Sequence, residues 1–329
     1  MARPFRSALY VAAVTCTAAV IALPSAGWPQ TYPSKPVHIV VPFAAGGGTD
    51  NTARIFAQKY AEVWKQQVIV DNRAGAGGNI GADVVAKAAP DGYTLLFTPG
   101  GIAVSASLYR KLPFDPRRDF APATQVASTH MILVTNPKFP AASVKEVIAL
   151  AKAQPGKLNF GSSGVGAPSH LMGEVLKATA GLDIVHIPYK GDAQSIPALL
   201  AGEVHMVFVP LLIALPHMKN NRLRGVAVIG AARPQSAPEV PTMVESGLRD
   251  FQFTGWQGIF APAGTPQEVL SKISADTVKV LRMPDLAGRL PGMGLEPAGT
   301  SPAEFAVLYK SDIEKYARVI REARIPLID

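Results

Sequence analysis

The apolar positions of this chain alternate between two spacings. Short β-branched or leucine-rich runs read as buried strands, and between them apolar residues recur three and four apart, as on helices. Residues 37–41 (Val-His-Ile-Val-Val) form the first such run. Gly46, Gly47 and Gly48 follow, then the N-capping types Thr49 and Asp50, then Ala53, Phe56, Ala57, Tyr60 and Trp64 at helical spacing. The unit repeats with a strand over 67–71, a glycine-rich segment over 72–81 and a helix over 83–89 that stops before Pro90. A third strand, 94–98, runs into Pro99-Gly100-Gly101. Strands alternating with helices through short links predict an α/β fold with a parallel sheet. Ligands sit beyond the strand ends in such sheets, which puts loops 43–50, 74–81 and 98–105 on one edge.

Residues 110–122 are rich in Pro, Arg and Asp and read as a surface connection. The extended run 125–135 is a candidate strand crossing into a second lobe. There the design recurs: helix 144–154, strand 157–160, a Gly/Ser loop over 161–170 and helix 171–180. Strand 183–189, helix 193–201 and strands 204–209 and 223–229 complete this lobe. The Pro-rich stretch 233–247 leads back to a returning strand at 253–262, and amphipathic helices near 266–283 and 301–323 close the chain.

Length and composition narrow the class. A chain of 329 residues suggests two domains, and 48% hydrophobic with 17% charged residues describes a globular protein. The formal charge of +8 is dispersed, with no basic cluster interleaved with aromatics, so nucleic acid is not an expected partner. A mildly basic surface suits anionic small molecules. Arg3 and Arg6, the apolar stretch 7–23 and the small residues at 24–27 predict an export signal over residues 1–27. Cys16 is the only cysteine and lies inside that signal. The exported chain is thereby expected to have no disulfide, thiolate metal site or cysteine nucleophile.

The candidate chemistry is anion binding. Gly46–Gly48 strip the turn of side chains, so amides at a helix start can approach a carboxylate, although a plain tight turn uses the same residues. The loop at Ser162, Ser163, Gly164, Gly166, Ser169 and His170 is a second cradle, enriched in hydroxyls; His170 suits a helix cap or a ligand contact. Asp192 suits an N-cap or a partner for a ligand hydroxyl or amine, and Lys190 a carboxylate or solvent. Other chemistry lacks its pattern. There is no Walker A loop, His-Glu-x-x-His or EF-hand, residues 161–165 fail the nucleophile elbow, and 75–81 fail the dinucleotide fingerprint. The six histidines never stand three or four apart, which leaves metal ligation without support and no cofactor expected.

Many of these residues carry a resemblance. Tyr32-Pro33-Ser34-Lys35-Pro36, Val41-Pro42-Phe43 with Gly46-Gly47-Gly48-Thr49-Asp50, Asn72-Arg73 with the glycines to Gly81, and Ala89-Pro90-Asp91-Gly92-Tyr93 match the Bug family in order and spacing. So do Pro113-Phe114-Asp115-Pro116, His186-Ile187-Pro188-Tyr189-Lys190-Gly191 and Phe260-Ala261-Pro262-Ala263-Gly264-Thr265-Pro266. The chain thus resembles the receptors of tripartite tricarboxylate transporters over essentially all of its exported length. The resemblance implies a periplasmic, two-lobed binding protein of type II, each lobe a mixed, mainly parallel sheet flanked by helices. Residues 28–127 and 249–329 would form lobe one, and 128–248 lobe two. It implies a monomer without catalytic role or cofactor, which encloses a small carboxylate and hands it to membrane subunits. The ligand loops map onto Phe43, Ala45, Gly46, Gly47, Gly48, Thr49 and Asp50, and onto residues 162–170, with Asp192 tuning specificity. Relatives carry acidic or amide residues where His205 and Val209 stand, followed here by Pro210-Leu211-Leu212, which implies a more apolar pocket and an aromatic or longer aliphatic acid. The alternatives are a sensor docking on a membrane signalling protein and an exported hydrolase using Ser162, Ser163 or His170.

Overall fold

The protein is seen as a computed structural model, which describes Met1 and residues 32–329 apart from Asp250, Gln252 and Thr254. The expected export signal lies outside the described residues. From residue 37 the chain forms β1 (Val37–Val41), α1 (Gly48–Trp64), β2 (Val68–Asn72), a 3-10 turn (Ala76–Gly78), α2 (Asn79–Ala86), β3 (Thr94–Pro99), α3 (Gly101–Leu108) and β4 (Phe120–Thr129). It continues with β5 (Met131–Thr135), α4 (Val144–Ala153), β6 (Asn159–Ser162), α5 (Pro168–Ala180), β7 (Val185–Pro188), α6 (Asp192–Ala201), β8 (Met206–Pro210), α7 (Leu211–Lys219) and β9 (Arg224–Ile229). The last part is β10 (Gly255–Pro262), α8 (Gln267–Leu281), the short α9 (Pro284–Ala287) and α10 (Arg289–Gly292), β11 (Leu295–Pro297) and α11 (Pro302–Glu322).

Two mixed sheets result. The first has six strands in the order β11-β4-β10-β3-β1-β2, the second five in the order β7-β6-β8-β5-β9. Parallel pairing joins β1 to β2 and β3, and β6 to β7 and β8; β10 runs antiparallel to β3 and β4, and β5 antiparallel to β8 and β9. The antiparallel pairs arise where the chain passes between the sheets, so parallel pairing does not dominate either one.

The extended run expected over 125–135 is two strands. Strand β4 begins earlier, at Phe120, and pairs with β10 and β11, while β5 pairs with β8 and β9. The switch falls at His130, whose Nε2 lies 2.9 Å from Glu296 Oε1 and whose carbonyl accepts the Leu211 N–H at 2.8 Å. Helix α7 was hidden from sequence by Pro210 and Pro216, which bracket its apolar run; Pro216 lies inside the helix.

The floor of the six-stranded lobe is held by aromatic packing. Trp256 Nε1 donates to Asp312 Oδ2 at 2.6 Å, and Phe260 packs against Phe305 with centroids 4.9 Å apart. All three rings are at most 2% exposed, and each such buried side chain contributes about 2–3 kcal/mol. Helix α11, which carries Phe305 and Asp312, is fixed at its start by a reciprocal capping box between Ser301 and Glu304.

Candidate binding cleft

Five helices begin at one cavity. Thr49 is the second residue of α1, Gly100 precedes α3, Pro168 and Ser169 open α5, Asp192 opens α6 and Pro210 precedes α7; all of them line the same space. Each helix start carries roughly half a positive charge and amides without intrahelical acceptors. In α1 the first helical bond is Asn51 N to Gly47 O, and in α5 it is Leu171 N to Ala167 O. The N–H groups of Thr49, Asp50, Ser169 and His170 therefore have no carbonyl partner one turn back. Sequence dictates this layout, because short links after β1, β3, β6, β7 and β8 each turn straight into a helix.

Residues at the crossing between the sheets close the other side. Thr129 and Met131 flank His130, Gly255, Trp256 and Gln257 come from the start of β10, and Tyr316 comes from α11. Phe43 and Pro99 complete the wall. The cavity volume is about 50 Å³. The cleft is narrow, and it suits a flat or extended small molecule.

Its electrostatics are unusual in that, among the described residues, Asp192 is the only charged one in the lining. Asp192 Oδ1 is enclosed and has no hydrogen-bond partner. Burial raises its pKa to about 6, partly opposed by the Gly48 N–H. Ser163 Oγ and Ser169 Oγ lie 2.8 Å apart, and Ser169 Oγ also accepts the Ser163 N–H at 2.9 Å. Gln257 is 2% exposed and its Oε1 is also unpartnered. Among the described residues no group of three His, Cys, Asp or Glu is arranged to hold a metal ion.

Of the residues expected from sequence, Phe43, Thr49, Ser163, Ser169 and Asp192 line the cavity. Neither Thr49 nor Asp50 caps α1; the N-cap is Gly47, with no side-chain bond. Asp50 is not among the residues that line the cavity. Its carboxylate accepts from Gly46 N (2.8 Å), Asn72 Nδ2 (2.9 Å) and Arg54 Nε (2.9 Å), so it builds the loop. Burial works against its charge, but the bonds from Arg54, Gly46 and Asn72 outweigh burial and hold its pKa low. Asp192 is likewise the first helical residue and Gly191 the N-cap.

Other expected residues form the seam between the lobes. The Ala44 N–H donates to Lys190 O at 3.3 Å, while the Lys190 side chain is exposed. Gly48 faces Pro210, with only 3.2 Å from the position of a Cβ to Cγ. Gly166 (φ +84°) passes the Tyr109 ring, 2.6 Å from where a Cβ would stand, and Gly164 lies against Gly77. Tyr109 OH donates to Val165 O at 2.8 Å, bridging the lobes directly. Ala45, Gly46 and Gly47 stay outside the cavity lining, with Gly46 on an outer groove beside Ala193 and Ile213.

Ser162 and His170 belong to the core of the second lobe. Ser162 is fully buried, with its Oγ 2.6 Å from His186 Nε2 and accepting the Gly164 N–H. His170 stacks on His186 at 4.2 Å and accepts the Gly166 N–H on Nδ1. Burial drives the pKa of His170 down to about 4 and that of His186 to about 3, so both rings are neutral at pH 7. The buried serine has a base but no access to the cavity, and the accessible Ser163 bonds to Ser169 in place of a base. Neither serine therefore combines access to the cavity with a bonded base. His205 binds Asn159 and Val209 is buried core, so of the segment expected to make the pocket apolar only Pro210 reaches it.

Sequence reasoning missed Thr129, Met131, Gly255, Trp256, Gln257 and Tyr316. Its one available signal was Gln257, an amide in an otherwise apolar returning strand. The chain matches the family model for the tripartite tricarboxylate transporter family receptor over residues 52–325. Its structure is similar to the periplasmic binding protein BugD (TM-score 0.87, 32% identity, covering 90% of this chain and 100% of that one). It is also similar to Rpa4515 of R. palustris with adipate (0.86, 32%, 90% and 100%) and to MatC of Rhodopseudomonas palustris with bound malate (0.85, 30%, 88% and 100%). With two helix-flanked mixed sheets and helix starts gathered at one cleft, this chain belongs to the tripartite tricarboxylate transporter receptor family, the Bug-type periplasmic binding proteins.

Proposed function

We propose that the protein encloses a small carboxylate between residues 28–127 with 249–329 on one side and 128–248 on the other, and delivers it to the membrane subunits of a tripartite tricarboxylate-type transporter. The observation that carries this reading is the gathering of five helix starts around one narrow cavity. Each helix start stabilises an adjacent anion by about 0.3–1 kcal/mol, more when water is excluded, so several together select a carboxylate over a neutral group. The hydroxyls of Thr49, Ser163 and Ser169 supply further donors. The adipate and malate bound to two related receptors are small carboxylates of this size class. The receptor acts as a periplasmic monomer after removal of residues 1–27, and it carries out no reaction on its ligand.

A thermal-shift screen of residues 28–329 against mono-, di- and tricarboxylates, aromatic acids and acidic amino acids tests this. A ligand at 100 times its Kd stabilises the folded state by about 2.7 kcal/mol. A hit weakened by Ser163→Ala supports the cavity as the site. A folded protein that responds to no acid, and that releases none on denaturation, contradicts the reading.

A further inference from the structure

The wall that β10 contributes to the cleft holds a polar group with nothing to bond. Gln257 is 2% exposed, its Oε1 is enclosed without a partner, and its amide nitrogen makes no hydrogen bond among the described residues either. A buried polar group left unpaired costs about 1–3 kcal/mol. The surroundings do not let it escape. Trp256 beside it is anchored to Asp312, and a Cβ at Gly258 would strike the Phe305 ring, so this stretch of β10 is fixed against α11. Rotating the amide by 180° exchanges its two ends and leaves one acceptor and one donor to be matched either way.

Asp192 Oδ1, on the α6 side of the same cavity, is a second enclosed acceptor without a partner, and among the described residues no lysine or arginine lines the space. A second ionised carboxylate on the ligand would bring acceptors alone. It would leave the Gln257 oxygen unpaired and add negative charge near Asp192 with no cation to balance it. A hydroxyl or carboxamide brings the missing N–H or O–H and accepts from the amide nitrogen in return.

On this basis, and resting on the receptor reading above, we propose that Gln257 is the specificity-determining residue. The ligand is then a monocarboxylate whose apolar body carries an uncharged hydroxyl or carboxamide, which Gln257 reads, and dianionic diacids of the same length are discriminated against. The remaining lining agrees with an apolar body: Phe43, Pro99, Met131, Pro168, Pro210 and Trp256.

The test is calorimetric titration of residues 28–329 with matched acids: hexanoate, 6-hydroxyhexanoate and adipate, and benzoate, 4-hydroxybenzoate and terephthalate. Within the set that binds, the hydroxy acid is expected to bind at least about tenfold tighter than the other two. Gln257→Leu should bring the hydroxy acid to the level of the unsubstituted acid in the same variant, so that the preference is lost. Gln257→Glu, which keeps length and acceptor oxygens, should retain the preference for the hydroxy acid over the diacid. A wild-type protein that binds the diacid as tightly as the hydroxy acid overturns the assignment whatever the variants do. So does a preference that survives in Gln257→Leu. Binding of acids without hydroxy preference removes the role of Gln257 alone, whereas no binding by any acid of the broad screen removes the receptor reading and this assignment together.

Discussion

Tyr109 offers a way to weaken closure of the cleft without touching its lining. The residue follows α3 in the six-stranded lobe, and its hydroxyl donates to the carbonyl of Val165 in the five-stranded lobe at 2.8 Å, with Ala76 O further off at 3.3 Å. Replacing Tyr109 by Phe keeps the ring against Gly166 and removes only the hydroxyl. One neutral hydrogen bond contributes about 0.5–1.5 kcal/mol, and here it exists only while the lobes meet. That free energy is lost from ligand binding, because the ligand is enclosed only in the closed form, and it corresponds to about a two- to twelvefold rise in Kd. Unfolding of the ligand-free protein should change little, since an open form does not make the bond. Calorimetric titration of wild type and Tyr109→Phe with the same acid, alongside thermal unfolding without it, measures both quantities. An unchanged Kd with a lowered melting temperature would refute the idea that Tyr109 acts on closure, and would make it an ordinary packing residue.

Other outcomes follow from the same geometry. Gly166→Val places branched carbon against the Tyr109 ring at a position with φ +84°, so it should abolish ligand-induced stabilisation while the separate lobes keep their circular dichroism; retained binding contradicts the seam. For Asp192 the folded pKa of about 6 lies above its ordinary 3.8. The cost of its buried charge is therefore absent below about pH 4 and fully present above pH 6, amounting to at most about 3 kcal/mol. Asp192→Asn should stabilise the ligand-free protein in urea at pH 7.5 relative to wild type, with the advantage fading toward pH 4; a pH-independent difference would contradict the burial argument.

The opening unit of the chain was legible because its determinants are local. Residues 37–41 have no alternative to a buried strand, and the glycines and helical spacing that follow force a turn into α1. The placement of Phe43 and Thr49 at the strand's end comes with that unit. The role of Asp50 was not legible, because its partners are Arg54 and, across 22 residues, Asn72 on the neighbouring strand β2. A carboxylate beside a glycine loop looks like a ligand contact until pairing of β1 with β2 brings that amide to it. The hydroxyl-rich loop divides for a similar reason. Ser163 and Ser169 face the cleft, whereas Ser162 ends β6 and meets His186, from β7, on the other side. The wall at the crossing between the sheets was invisible because it depends on where β4 gives way to β5 and where β10 returns, and neither crossing leaves a periodic trace.

If gathered helix starts hold a carboxylate, removing the charge from the ligand must weaken binding. The tightest-binding acid from the screen and its primary amide have nearly the same shape and differ in one negative charge. Calorimetric titration of residues 28–329 with both should show the amide binding at least about tenfold more weakly, since several helix starts at about 0.3–1 kcal/mol each favour the anion. Equal affinities for acid and amide would mean that the helix starts of this cleft do not hold a carboxylate.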